Sequence, residues 1–135
     1  MTPVLPQPRE TPTNAPLLSA WRQEGALLLQ RCAACNAVTF YPRSVCPCCW
    51  SSQLVWFRAA GTGSIVSFSR IYRGLPEVFQ AEVPIILAEL ALAEGALMIA
   101  RVVTPDPDAV VSGMQVRLVG PEEAARYSLP TFRST

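Results

Sequence analysis

The spacing of apolar positions changes several times along the chain. From Pro16, the stretch PLLSAWRQEG sets Leu17 and Leu18 four and three residues before Trp21, which is helical spacing, and Gly25 supplies the stop. ALLLQRC then reads as a strand running into a cysteine pair. Further on, QLVWFRAAGTGSIVSFSRIYR reads as two extended segments broken at GTG, residues 61–63. GLPEVFQAEVP forms a loop bounded by Gly74 and Pro84. IILAELAL and ALMIARVV follow, and Glu94 and Gly95 between them give a hairpin signal. TPDPDAVVSG predicts a turn or short helical loop, MQVRLVG a last strand, and PEEAARYSLPTFRST an irregular tail. Five or so short strands with glycine-rich corners predict a small Greek-key barrel behind a cysteine-rich head. Residues 1–16 hold five prolines and read as an extended arm, loose or laid along another surface.

Composition narrows this picture. At 135 residues the chain is one ordinary domain, or a small one with an appendage. Half of its residues are hydrophobic and only 16% charged, which suggests that part of its surface faces a partner rather than water. A net charge of +1 leaves no strong field to steer it to nucleic acid or an anionic membrane. The longest apolar run, VPIILAELALAEGALMIA, is broken by Glu89, Glu94 and Gly95, which argues against a membrane span. The proline-rich start lacks the apolar run that export needs, so a cytoplasmic location is expected. In that reducing compartment, clustered cysteines point to metal or redox chemistry rather than disulfides.

All five cysteines lie in RCAACNAVTFYPRSVCPCCW, residues 31–50. Cys32 and Cys35 are separated by two residues, as are Cys46 and Cys49, with ten residues between the pairs. Two intervening residues let a tight turn aim both sulfurs at one ion, and two such knuckles supply a tetrahedron of thiolates. Soft sulfur donors select zinc or iron over hard cations. A thioredoxin-like pair would need one such motif at a helix start in a βαβ frame, which is missing. Within CPCC the spacing favours Cys49 over Cys48 as the fourth ligand.

The absent residue types matter as much. The sequence contains neither histidine nor lysine, so the usual neutral-pH proton shuttle and Schiff-base chemistry are missing. Its two aspartates, Asp106 and Asp108, sit in one expected solvated turn, and Glu89 lies in a strand. A self-sufficient enzyme is not expected from this inventory. Arg70, Arg73 and Arg101 carry guanidinium forks that match phosphate oxygens, although exposed strand charge is the plainer account. Nucleic-acid binding would need a basic track beside the aromatics, and none is present.

GALLLQRCAAC, YPRSVCPCC, GTGSIVSFSRIYR, VPIILAEL, SGMQVRL and LPTFR, behind a short N-terminal helix, together resemble the "domain of unknown function 35" family from about Pro16 to Arg133. The resemblance implies a mainly β chain: a rubredoxin-like zinc ribbon (1–52, with arm and helix) feeding a five-stranded OB-fold barrel (53–135, with the tail). It implies one structural zinc on Cys32, Cys35, Cys46 and Cys49. It also implies a non-catalytic subunit that pairs with a thiolase-like subunit in a hetero-oligomer. Such complexes make or break carbon–carbon bonds on acyl-CoA thioesters, as thiolases, acyltransferases or retro-aldolases, and the OB-fold chain helps shape the acyl-CoA site. Arg70, Arg73, Leu75, Val78, Phe79 and Arg101 are the candidate contacts to coenzyme A or the partner. Loop 71–84 is favoured because OB-folds bind through the loops around their early strands. A stand-alone acyl-CoA-binding module, and a single-stranded nucleic-acid binder, are the alternatives. Family members often carry glycine after each knuckle, where this chain has Asn36 and Trp50. Asparagine tolerates the left-handed turn, whereas Trp50 predicts a less regular second knuckle.

Overall fold

The computed structural model describes residues 5–135. Helix α1 (Ala15–Glu24) ends on Gly25, whose left-handed φ of 64° lets the N–H groups of Gly25 and Ala26 cap the carbonyls of Trp21 and Ala20. Three strands, β1 (Leu28–Cys32), β2 (Val38–Thr39) and β3 (Leu54–Arg58), make a small antiparallel sheet in the order β2-β1-β3. The third strand brings Trp56 and Phe57 against the core. A closed barrel follows, built from β4 (Thr62–Ile71), β5 (Ile85–Leu92), β6 (Leu97–Val103), β7 (Gln115–Leu118) and β8 (Thr131–Ser134), in the order β4-β5-β6-β8-β7. A five-stranded barrel is what the strand pattern predicts, but its membership differs: 54–58, expected as the first barrel segment, pairs with β1 in the ribbon sheet, and the fifth barrel strand comes from the tail.

The hairpin between β5 and β6 turns at Gly95, φ 93°, as its sequence indicates. At the GTG break, Gly63 packs so closely on β5 that a Cβ there would sit 2.6 Å from the Ala91 carbonyl oxygen. The expected loop 74–84 contains a 3-10 helix (Glu77–Glu82). A second 3-10 turn (Pro107–Ala109) is capped by Asp106 Oδ1, which accepts from the Asp108 N–H at 3.2 Å, so both aspartates serve a turn.

The C-terminal tail is a correction to the sequence reading. Instead of being irregular, it forms a short helix α2 (Pro121–Ala124) and the strand β8. Strand β8 closes the barrel by pairing parallel to β6 and antiparallel to β7. Its central Phe132 is fully buried, while Arg133 beside it pairs with Glu123. Parallel pairing between β6 and β8 joins residues about thirty apart in sequence, so no local pattern announces it.

One core runs through ribbon and barrel: Leu17, Leu27, Leu29 and Phe40 pack in the same cluster as Ile65, Leu90, Met98 and Phe132. A second, smaller cluster holds Trp21 against Val119 and Ala124. The arm lies along the C-terminal segment from Leu5 on, where the Ser128 hydroxyl donates to the Pro6 carbonyl at 2.7 Å. Its first four residues lie outside the described residues.

Candidate metal centre

The end of β1 delivers Cys32 into the first knuckle, and the loop returning from β2 delivers Cys46 into the second. The two turns use the same hydrogen bonds. The Asn36 N–H donates to the Cys32 carbonyl at 2.8 Å and the Trp50 N–H to the Cys46 carbonyl at 2.9 Å. The Cys32 and Cys46 N–H groups in turn donate to the carbonyls of Ala37 and Ser51. Asn36 and Trp50 both take left-handed φ angles, 65° and 66°. The irregular second knuckle expected from Trp50 is therefore not found. An indole side chain in this conformation costs about 1–2 kcal/mol; it is tolerated because the ring, 82% exposed, meets no packing constraint.

This repeat selects four sulfurs. The Sγ atoms of Cys32, Cys35, Cys46 and Cys49 lie within 4.8 Å of one another, with Cys32–Cys49 at 3.5 Å and Cys35–Cys46 at 3.6 Å. Thiolates about 2.3 Å from a central ion form a tetrahedron with edges of about 3.8 Å. The observed spacings match that figure, so the donor set fits a tetrahedral soft cation. Cys48 is exposed and outside the cluster; its N–H donates to Cys46 Sγ at 3.4 Å.

Electrostatics favour the same use. The N–H groups of Cys49 and Cys48, directed at the Cys46 sulfur, draw its thiol down to about 6. Cys32 is lowered first by the Cys35 N–H. At Cys35 the Ala37 N–H pulls the other way, yet burial and the three neighbouring thiols push it up to about 12. Cys49 is likewise raised, against the Ser51 N–H, by the Cys32 thiol and burial. Negative charge on one sulfur opposes it on the next, and a divalent cation removes that opposition. With four thiolates bound, no coordination position remains for substrate, so such an ion serves structure.

Gln30 buttresses the cage. Its buried amide accepts from the Arg43 N–H at 2.9 Å and donates to the Arg43 carbonyl at 3.0 Å, pinning the loop that leads to Cys46. Gln30→Ala should cost about 1–3 kcal/mol, because both Arg43 groups lose their partner. Urea unfolding with metal bound measures it, and a change below ~0.5 kcal/mol would show that water replaces the amide.

The other candidate residues divide among β4 (Arg70), the loop before β5 (Arg73, Leu75, Val78 and Phe79) and β6 (Arg101). Arg70, at the end of β4, donates to the carbonyls of Pro107 (2.8 Å), Asp108 (3.1 Å) and Val110 (3.1 Å) while lying over the Phe68 ring. Its guanidinium holds the 107–110 turn onto the barrel. Arg73 is exposed, and Leu75, Val78 and Phe79 are half-buried in the loop before β5. Arg101 on β6 donates to Glu82 at 3.1 Å and lies over the Tyr127 ring, 5.3 Å from its centroid. Phe79, Glu82 and Arg101 line one apolar groove, together with Leu17 and Leu18 of α1, Phe40 of the ribbon, Met98 and Ile99 of β6, and Tyr127 and Leu129 of the tail. Sequence reasoning missed those further walls, which come from segments far apart. The available signal was the apolar character of Leu87 and Ile99, at strand positions that alternate outward.

Among the described residues, no helix is long and apolar enough to cross a membrane. Comparison with known proteins agrees with the site and the barrel. Residues 22–55 match the family model of the ChsH2 rubredoxin-like zinc ribbon domain, and residues 56–120 that of the ChsH2 C-terminal OB-fold domain. A probable enoyl-CoA hydratase alpha subunit of Thermomonospora curvata is 34% identical over 128 residues, which are 95% of this chain and 39% of that protein. The chain thus spans well under half the length of that relative. A DUF35 domain-containing scaffold protein of Methanothermobacter thermautotrophicus is 33% identical over 73% of this chain and 77% of its own. Among solved structures, a chain of the Ltp2-ChsH2(DUF35) aldolase superposes with a TM-score of 0.78 at 32% identity, covering 95% of this chain and 98% of that one. With a four-cysteine ribbon leading into a closed five-stranded barrel, the chain belongs to the DUF35 family, in its ChsH2-type combination of rubredoxin-like zinc ribbon and OB-fold.

Proposed function

We propose that this chain is a non-catalytic subunit that pairs with a thiolase-like catalytic subunit. Together they would form an enzyme that makes or breaks carbon–carbon bonds on acyl-CoA thioesters. One zinc on Cys32, Cys35, Cys46 and Cys49 holds the ribbon. The observation that carries this reading is the likeness, over 95% of the chain, to a chain of the Ltp2-ChsH2(DUF35) aldolase. The lack of histidine and lysine supports it, because the usual neutral-pH base and an amine nucleophile are both missing. In this reading the contacts to the partner or to coenzyme A come from Arg73, Leu75, Val78 and Phe79 in the loop before β5 and from Arg101 on β6; Phe79 and Arg101 line one groove, and Arg70 braces the 107–110 turn.

The test is reconstitution with a thiolase-like subunit encoded beside this chain. The pair should co-elute as a hetero-oligomer and turn over acyl-CoA, and this chain alone should not. Phe79→Ala should weaken association by about 2 kcal/mol or more if Phe79 anchors the interface, with metal content unchanged. Turnover by the lone chain, free of contaminating partner, would overturn the reading; undiminished association of Phe79→Ala would move the interface elsewhere.

A further inference from the structure

Trp50 is the most exposed of the large apolar side chains, with 82% of its surface open to water. Its backbone holds a left-handed φ of 66°, which glycine adopts freely and any residue with a Cβ adopts at a cost. The indole belongs to neither hydrophobic cluster, so the fold gains no packing from it. Backbone strain kept beneath an exposed aromatic ring marks a position used for something other than folding.

The surroundings of Trp50 are of one kind. Four sulfurs gathered within 4.8 Å bring the two knuckle turns side by side, as one tip of the ribbon. On those turns Ala33, Ala34, Val45, Pro47 and Cys48 are exposed and uncharged. Between Gly25 and Pro76 the chain has five arginines and no aspartate or glutamate, whereas residues 77–135 hold eight of its ten acidic residues. Arg31, one residue before Cys32, and Arg43, three before Cys46, flank the tip and are exposed. Neither forms an ion pair among the described residues; both ion pairs found there belong to the barrel and tail. Arg31 lies over the Phe57 ring, 4.4 Å from its centroid, and the Gln30 amide holds the backbone of Arg43. Val55, directly opposite Arg31 on β3, is 56% exposed and extends the apolar surface.

Magnitudes separate the partners that could take an indole beside guanidinium groups. A phosphate backbone is typically gripped by about six to ten cationic contacts, and this tip offers two beside a cage that is itself anionic with four thiolates on a divalent ion. A lipid surface holds a peripheral protein firmly through two signals, such as an acyl chain and a polybasic patch, and the tip has neither. A protein surface needs less: one aromatic anchor in a pocket, with a few carboxylates to meet the arginine forks.

We infer that the ribbon tip docks on the catalytic subunit of the proposed pair, with Trp50 in an apolar pocket whose rim carries carboxylates for Arg31 and Arg43. This rests on the reading of the chain as an accessory subunit and adds a contact on a different element from the loop before β5.

Calorimetry with the full, zinc-loaded chain and the thiolase-like subunit encoded beside it tests the inference. Trp50→Gly should weaken association about tenfold or more. Its zinc content should stay the same and its melting temperature should not fall, because glycine relieves the left-handed turn. Trp50→Phe should recover part of the affinity. Arg31→Gln combined with Arg43→Gln should weaken association about tenfold at low salt and flatten its dependence on salt concentration. Association indifferent to Trp50→Gly and to the double arginine variant would overturn the inference and leave the pairing itself standing. Absence of any association with the wild-type chain would overturn both. Sedimentation with phosphatidylglycerol vesicles, or binding of a single-stranded oligonucleotide, that disappears in Trp50→Gly would also overturn it and assign the tip to lipid or nucleic acid.

Discussion

Cys32→Ser is expected to lose the metal and, with it, the order of residues 32–53. The chain as prepared should carry about one zinc, with Zn–S distances near 2.3 Å by X-ray absorption, and the variant close to none. The loss is large because metal binding and ribbon folding are one event. β2 is only two residues long, and beyond the Gln30–Arg43 pair and the Ala33 N–H bond to the Gln53 carbonyl, the four sulfurs are what hold the two knuckles together. Cys48→Ser is the internal control, since its thiol lies outside the cluster; metal and fold should both survive. Cys49→Ser should behave like Cys32→Ser. Full metal retention there would transfer the fourth ligand to Cys48 and contradict the repeated turn in which Trp50 mirrors Asn36.

Trp21→Ala should destabilise the chain by about 3–5 kcal/mol, the range for deleting a buried aromatic side chain. Trp21 is 2% exposed and packs against Val119 and Ala124, so the cavity opens where α1 meets the C-terminal segment. Its indole N–H also donates to the Tyr127 carbonyl at 2.9 Å, across 106 residues. Against a total stability of about 5–15 kcal/mol for a domain, this loss is severe. Trp21→Phe keeps most of the volume but not the hydrogen bond and should cost roughly 1–2 kcal/mol. Chemical denaturation of metal-loaded protein measures both. A loss under ~1 kcal/mol in Trp21→Ala would mean that helix α1 docks without its largest side chain.

Some of this was legible in the chain because it depends on neighbours. Leu17, Leu18, Trp21 and Gly25 specify α1 by spacing and a left-handed stop, and Gly95 specifies the β5–β6 hairpin in the same way. The paired cysteine spacing picks out the four sulfurs that gather, since a two-residue turn is stiff enough to fix where each thiol points. The confinement of both aspartates to PDPD foretold a turn, and the structure uses them in one. The outcome at Trp50 lay beyond that reach. A tryptophan disfavours the left-handed turn, and only the hydrogen bonds of the knuckle, together with an exposed ring, make the conformation acceptable.

The sequence by itself determined helix α1, the β5–β6 hairpin and the donor atoms, because local backbone preference and short-range spacing act within a few residues. Tertiary structure alone decided three things: the use of the tail as the closing strand, the spending of Arg70 on three carbonyls of the 107–110 turn, and the meeting of Arg101 with Glu82 and Tyr127 in an apolar groove. The named contacts join residues 19 to 40 positions apart. Barrel closure supplies the energy for such contacts by burying Phe132 and its neighbours at once, and no stretch of the chain read alone contains that cooperative term.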